Sequence, residues 1–367
     1  MILAVNNSLA FNHDTLPQKV MFGYGKSSAF LKQEVERRGS AKVMVIAGER
    51  EMSIAHKVAS EIEVAIWHDE VVMHVPIEVA ERARAVTTDN EIDLLVCVGG
   101  GSTTGLAKAI AMTTALPIVA IPTTYAGSEA TNVWGLTEAA RKTTGVDLKV
   151  LPETVIYDSE LTMSLPVEMS VASGLNGLAH CIDSLWGPNA DPINAALAAE
   201  GIRALNQGLP KIVANPHSIE GRDEALYGAY LAAVSFASAG SGLHHKICHT
   251  LGGTFNLPHA QTHATVLPYV LAFNASDAPE AERRAAAAFG TDTALEGLQR
   301  LRSAVNAPQR LSDYGFEASG IAEAVDVTLE KVPANNPRPV TRENLSRLLE
   351  AALNGEDPAV LSAVLSN

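Results

Sequence analysis

Cysteine is scarce in this chain. Cys97, Cys181 and Cys248 sit in apolar or helical contexts with no CxxC spacing, which excludes a disulfide framework and argues against a thiolate zinc site. Cys248, inside a histidine-rich stretch, reads as a small buried packing residue. Basic residues are also short, 27 against 41 acidic, leaving a formal charge of −14 and a pI near 5.2. Such a surface repels phosphate backbones, so nucleic acid is not expected as a partner. Long apolar runs are missing as well: stretches such as 94–98 are far too short to cross a bilayer, and no membrane partner is expected. The opening residues MILAVNNSLAFNHD have neither a basic segment nor a small-residue cleavage site, which predicts a cytoplasmic location. Only 19% of residues are charged against 47% hydrophobic, so nothing resembles disorder. At 367 residues the chain suits two domains.

Between residues 17 and 158, short β-branched runs alternate with helical segments. Strands are expected at 18–22, 42–47, 64–67, 93–98 and 117–121, with helices at 27–38, 76–84 and 102–112. Ser27 reads as a helix N-cap, and Gly39 as the stop of that helix. KVMVIA at 42–47 is continuously apolar, as a parallel strand covered on both faces must be. This alternation predicts an α/β doubly wound, Rossmann-like domain over 1–158. From 159 to 367, alanine- and leucine-rich periodic segments at 190–208, 218–239, 280–289, 295–305 and 341–353 predict an all-helical domain. A cleft between the two is the default site.

Histidine is concentrated. GLHHKICHTLGGTFNLPHAQTH carries His244, His245, His249, His259 and His263. His245 and His249 are four apart, one helical turn, and so share a face. Gly252, Gly253 and Pro258 are expected to break that helix and return His259 and His263 to the same cavity. Asn176 and His180 form another i,i+4 pair upstream. Clustered imidazoles suit a metal site, a proton relay or an anion pocket, although any one of them alone reads as a hydrogen-bonded core or surface histidine.

LLVCVGGGSTTGLAKAIA puts Gly99, Gly100, Gly101 and Ser102 between a strand and a helix. There the backbone can approach a pyrophosphate and the helix N-terminus offers it N–H groups, though glycines also serve tight turns for steric reasons alone. A second turn, PTTYAGSE, adds Thr123, Thr124 and Ser128. At the end of the second strand stands Gly48, followed by Glu49 and Arg50, where an acidic residue would bond a ribose 2′-OH and exclude a 2′-phosphate. Glu49 and Arg50 pull in opposite directions; if the ligand is a nicotinamide dinucleotide, NADH is the expected cofactor, with NADPH tolerated.

These motifs, GGGS after one strand, IPTTYAGSEAT after the next, GLNGLAH, and HHKICHTLGGTFNLPHA, resemble the iron-containing alcohol dehydrogenase superfamily across nearly the whole chain. MHVP at 73–76, GGGSTTGLAKAIA, ARKTTGVDLKVLPETVIYD and LPVEMSVASGLNGLAHC look specifically like the maleylacetate reductases within it. The resemblance implies the dehydroquinate synthase-like fold. It also implies NAD(P)H-dependent reduction of the carbon–carbon double bond of maleylacetate to 3-oxoadipate in aromatic catabolism, and a homodimer.

The superfamily's metal ligands, an Asp and three His, fall on Asn176, His180, His245 and His259, and His249 falls on a further histidine near the nicotinamide. An amide is a poorer ligand than a carboxylate for a hard cation, so a degenerate site and no required metal are expected. Gly105 stands where many members carry Asp. The implied catalytic candidates are His245 and His249, then His180 and His259, as donors to the ketone oxygen where charge develops. The substrate is a small dianion, for which Lys246 and Arg338 are candidate partners, each with a plain surface reading beside it. The nearest rival is a metal-dependent alcohol or glycerol dehydrogenase. A dehydroquinate synthase-type lyase would need an acidic ligand and more basic phosphate-binding residues, and a non-catalytic scaffold would not need to keep this cluster.

Overall fold

The structure, a computed structural model, describes residues 9–138 and 141–365; residues 1–8 of the apolar N-terminal stretch lie outside the described residues. The first half builds a six-stranded parallel sheet from β1 (Lys19–Phe22), β2 (Val43–Ile46), β3 (Ile66–His68), β4 (Leu94–Gly99), β5 (Ile118–Pro122) and, after a hairpin of β6 (Val133–Glu138) and β7 (Arg141–Val146), β8 (Thr154–Tyr157). The order across it is β1-β8-β5-β4-β2-β3, with every pairing parallel. All residues of β2, β4, β5 and β8 are buried, as the apolar runs demand. Because side chains alternate along a strand, Met44, Ile46, Leu95 and Cys97 enter the core beneath α3 (Ile77–Asp89) and α4 (Gly101–Thr114). Val43, Val45, Leu94 and Val96 face the opposite core under α1 (Ser27–Arg38) and α2 (Met52–Val58).

Two expectations need correction here. Ser27 is not the N-cap: it is the first residue of α1, and its N–H and that of Gly25 are satisfied by the Asp158 carboxylate at 3.0 and 2.8 Å. A residue beyond the last strand thus does the capping, which local spacing cannot reveal. The antiparallel β6–β7 hairpin was not expected either. VWGLTE and RKTTGV are polar and glycine-interrupted, so a half-exposed ribbon reads as loop. It braces the MHVP turn: Thr137 N–H donates to Val75 O and its hydroxyl to His74 O. His74 and Val75 hold φ of 64° and 48°, a costly region for a β-branched side chain that only such outside support maintains.

The second half is helical throughout the described residues: α5 (Val167–Ser184), α6 (Pro192–Ala214), α7 (Ile219–Ala239), α8 (Leu243–Phe255), α9 (His259–Asn274), α10 (Pro279–Phe289), α11 (Ala294–Ala304), α12 (Ile321–Leu329), α13 (Arg342–Asn354) and α14 (Pro358–Leu365). Nearly all of α5 is buried, packed against α6, α7 and α9. The expected break at Gly252 and Gly253 does not occur. Helix α8 runs through both and stops at Asn256, which takes the left-handed conformation at φ 54°. The halves are joined through the turn after β5: Tyr125 N–H donates to Ser173 Oγ on α5, and its hydroxyl accepts from the buried Arg222 of α7 at 3.1 Å.

Candidate active site

In this sheet the chain leaves β2 towards β3 on one side and β4 towards β5 on the other, so a crevice opens past the carboxyl ends of β2 and β4. A cavity of about 370 Å³ occupies it, lined by Gly48, Glu49, Arg50 and Glu51 from the β2 side and by Gly100, Gly101, Ser102, Thr103 and Thr124 from the other. The N-terminus of α4 has no side-chain cap and no acidic residue in its first turn, so its N–H groups are left for an anion. Gly99 is buried at φ 155°, where a Cβ would lie 2.4 Å from Thr103 Oγ1; its role is the turn itself. Thr123 is buried and its N–H donates to Gly99 O, while Ser128 gives its carbonyl to Lys108; neither lines the cavity. A Cβ on Gly48 would come within 2.8 Å of Glu51 Oε2, so the Glu51 carboxylate already leans over the position where an acid was sought. Lys108, fully buried on α4, donates to the carbonyls of Ser128, Thr131 and Val133 and so ties the β5 turn to the helix beneath the cavity. A Cβ on Gly105 would lie 2.9 Å from Val75 Cγ2, so a side chain there would have to displace the braced turn.

The imidazoles gather between α5, α8 and α9. His180 and His245 stack at 4.9 Å between ring centroids, each also against Phe236 of α7. His263 meets His245 at 4.8 Å and His259 at 4.3 Å; His249 lies 5.9 Å from His245. His180, His244, His245 and His263 are buried, while His249 and His259 are exposed. Burial, then the neighbouring imidazoles, pushes His180 and His244 down to about 3 and His245 and His263 well below the usual range, so these rings are neutral at pH 7.

Asp183, absent from the sequence reading, organises His245. Its Oδ2 accepts from His245 Nδ1 at 2.7 Å and from the backbone N–H of Gly242 and His245 at 3.0 and 3.2 Å. Burial raises this carboxyl to about 7, against the pull of those N–H donors and the Trp186 indole. Converging donors make it an acceptor, so His245 carries its proton on Nδ1 and turns Nε2, buried and without a partner, towards the other rings. Gly242 is required there, since a Cβ would meet Asp183 Oδ1 at 2.6 Å. One signal was available: an aspartate near the end of an otherwise apolar helix is rarely buried without a task.

Asn176 Oδ1, His180 Nδ1 and His245 Nε2 are buried and unpartnered, and thus free to act as donor atoms. Yet the set Asn176, His180, His245 and His259 does not fit a hard divalent cation. None of the four can supply a negative charge, and the nearby carboxylate of Asp183 is committed to His245 and the start of α8. Lys246 is half-buried, its ammonium donating to Ser241 Oγ at 2.7 Å. Burial lowers its pKa, the Asp183 carboxylate opposes that, and Lys331 adds to it. Arg338 is taken up elsewhere, bonded to Asp277 and Ser276 and lying over the Phe273 ring.

A glycine-lined crevice past the sheet and a cluster of imidazoles between helices define a class, and the comparisons agree with it. The model for iron-containing alcohol dehydrogenase matches residues 17–159, and that for the C-terminal part of the Fe-containing alcohol dehydrogenase family matches 170–353. The chain belongs to the iron-containing alcohol dehydrogenase family of oxidoreductases and, within it, to the maleylacetate reductases. It is 44% identical over 351 residues to the maleylacetate reductase of Sphingobium indicum, covering 95% of this chain and 99% of that one. The crystal structure of maleylacetate reductase from a Rhizobium species superposes with a TM-score of 0.90 at 38% identity, covering 96% and 100% of the two chains. A crystal structure of an iron-containing alcohol dehydrogenase from Corynebacterium glutamicum is 98% identical, with a TM-score of 0.96 and 97% and 100% coverage. No described helix is long and apolar enough to cross a membrane.

Proposed function

We propose that this chain reduces the carbon–carbon double bond of maleylacetate with NADH to give 3-oxoadipate, in the breakdown of aromatic compounds. The observation that carries this is its likeness to maleylacetate reductases along 95% of its length. Reduced nicotinamide, when bound, supplies the hydride. The open N-terminus of α4 and the Gly100–Gly101 turn would hold the pyrophosphate, and Glu49 and Glu51 at the far wall would favour a ribose hydroxyl over a 2′-phosphate against the opposite pull of Arg50.

Maleylacetate is an enone. Hydride addition at the carbon β to the ketone drives an electron pair onto the ketone oxygen, and a proton completes the product. His249, at the exposed edge, is the group for that oxygen and that proton, and His245, whose Nδ1 proton is held by Asp183, offers its bare Nε2 as the acceptor that positions the donor. The buried neutral rings would lower the local dielectric, which strengthens a donor to the developing charge. Lys246, beside the cluster at the start of α8, offers a cation to one substrate carboxylate.

The test follows NADH absorbance with maleylacetate and, separately, with simple aldehydes, before and after chelation. Turnover of maleylacetate that survives chelation is expected. Efficient aldehyde reduction that needs added metal, with maleylacetate untouched, would instead make it a metal-dependent alcohol dehydrogenase.

A further inference from the structure

Helices α8 and α9 bring together a second cluster that none of the steps above uses. His244 and Cys248 stand one turn apart on α8, and His263 faces them from α9, all three buried. Among the described residues, this is the one trio of histidine, cysteine or acidic side chains whose ligand atoms all lie within 4.8 Å of one another. His244 Nε2 is 3.0 Å from His263 Nδ1 and 3.6 Å from Cys248 Sγ. A tetrahedral ion with bonds of about 2.0–2.1 Å to nitrogen and about 2.3 Å to sulfur sets its ligands roughly 3.4 Å apart for two nitrogens and roughly 3.6 Å apart for nitrogen and sulfur. These two edges of the cradle are therefore already near the required lengths.

The hydrogen bonding is poor for a purely structural pair. His244 Nδ1 and His263 Nε2 are buried with no partner, so each ring satisfies one nitrogen and leaves the other orphaned. The donor set can also supply charge, since a Cys248 thiolate would bring one negative charge to a divalent ion. One thiolate with two imidazoles is a soft donor set, preferring zinc(II) to magnesium or calcium. The Asn176 set has no sulfur.

We propose that His244, Cys248 and His263 form a site for a soft transition-metal ion of the zinc(II) type, and that filling it inhibits the enzyme. On binding, the Cys248 S–H bond breaks, its proton leaves to solvent, the sulfur lone pair forms the metal bond, and no electron is transferred. His263 touches both His245 and His259, so fixing its ring as a ligand constrains the rings that the reaction uses. A CxxC spacing is thus not the only arrangement that can bring a thiol beside imidazoles.

Cobalt(II) is the probe, added to the metal-free full-length protein. One equivalent should give tetrahedral visible bands together with a near-ultraviolet thiolate-to-cobalt charge-transfer band, displaced by zinc, and zinc should inhibit NADH oxidation. Cys248→Ser should abolish the sulfur band and weaken zinc inhibition at least about a hundredfold. His263→Gln is the second variant, covering any loss of fold in the first, and should weaken cobalt binding while Asn176→Ala leaves the sulfur band in place. Absence of cobalt binding, or a spectrum without a sulfur band that vanishes in Asn176→Ala, would overturn the proposal.

Discussion

Asp183 acts on chemistry through another residue. By accepting the Nδ1 proton of His245 it selects the tautomer whose Nε2 faces the neighbouring rings. Asp183→Asn keeps the shape but can present an amide hydrogen to Nδ1 and reverse the tautomer. We expect kcat to fall about 10–100-fold with KM little changed, and nitrogen NMR of the ring to report the switched tautomer. An unchanged tautomer with full kcat would reduce Asp183 to a helix cap. Glu51 is the residue that local reading overlooked at the cofactor end, because it sits after the strand-end position that the usual pattern examines. Its carboxylate crowds Gly48, so Gly48→Asp would impair both cofactors, whereas Glu51→Gln should raise the NADPH-to-NADH ratio of kcat/KM about tenfold. A ratio that does not move would place the ribose elsewhere in the cavity.

At the scale of elements, α8 carries the cluster and shows how far glycine can mislead. Gly252 and Gly253 looked like breakers, but the buried face formed by Leu243, Ile247 and Leu251 holds the helix through them. Nothing lies within 4 Å of a Cβ added at Gly253, and its φ is not left-handed. Gly253→Ala should therefore stabilise the protein by about 0.5–1 kcal/mol in chemical denaturation, and destabilisation would mean that the exposed glycine serves a motion or a ligand. The periodic helices and continuous apolar strands were legible because each obeys its own local rule. The β6–β7 hairpin and the Asp158 cap were not, because both depend on partners distant in sequence: Thr137 meets His74, and Asp158 meets Gly25.

At the scale of the molecule, the edge of the sheet is tied together by Glu34 of α1. This buried carboxylate meets Lys19 of β1, Arg37 at 2.9 Å and Thr154 of β8 at 2.8 Å. Burial alone would raise its pKa, but the bonds to Arg37, Lys19 and Thr154 outweigh that and hold it at about 2, below the ordinary 4.5. Between those values the unfolded chain binds a proton that the native one does not. The stabilisation is therefore complete above about 4.5 and lost as pH falls towards 2. A Glu34→Gln variant should be less stable than the parent near neutrality and converge with it in acid, as followed by thermal unfolding across that range. Parallel curves would mean that the ion pairs contribute nothing.

The sequence by itself determined the class of fold, the glycine turns and the density of histidine, since periodicity, turn chemistry and residue spacing are properties of neighbours along the chain. Only the tertiary structure decided which histidines are buried and neutral, that Asp183 holds His245, that Glu51 covers Gly48, and that Cys248 faces two imidazoles. Each of those facts depends on the distance between residues on different helices or past different turns. Burial and electrostatics are set by that distance, which no local pattern encodes.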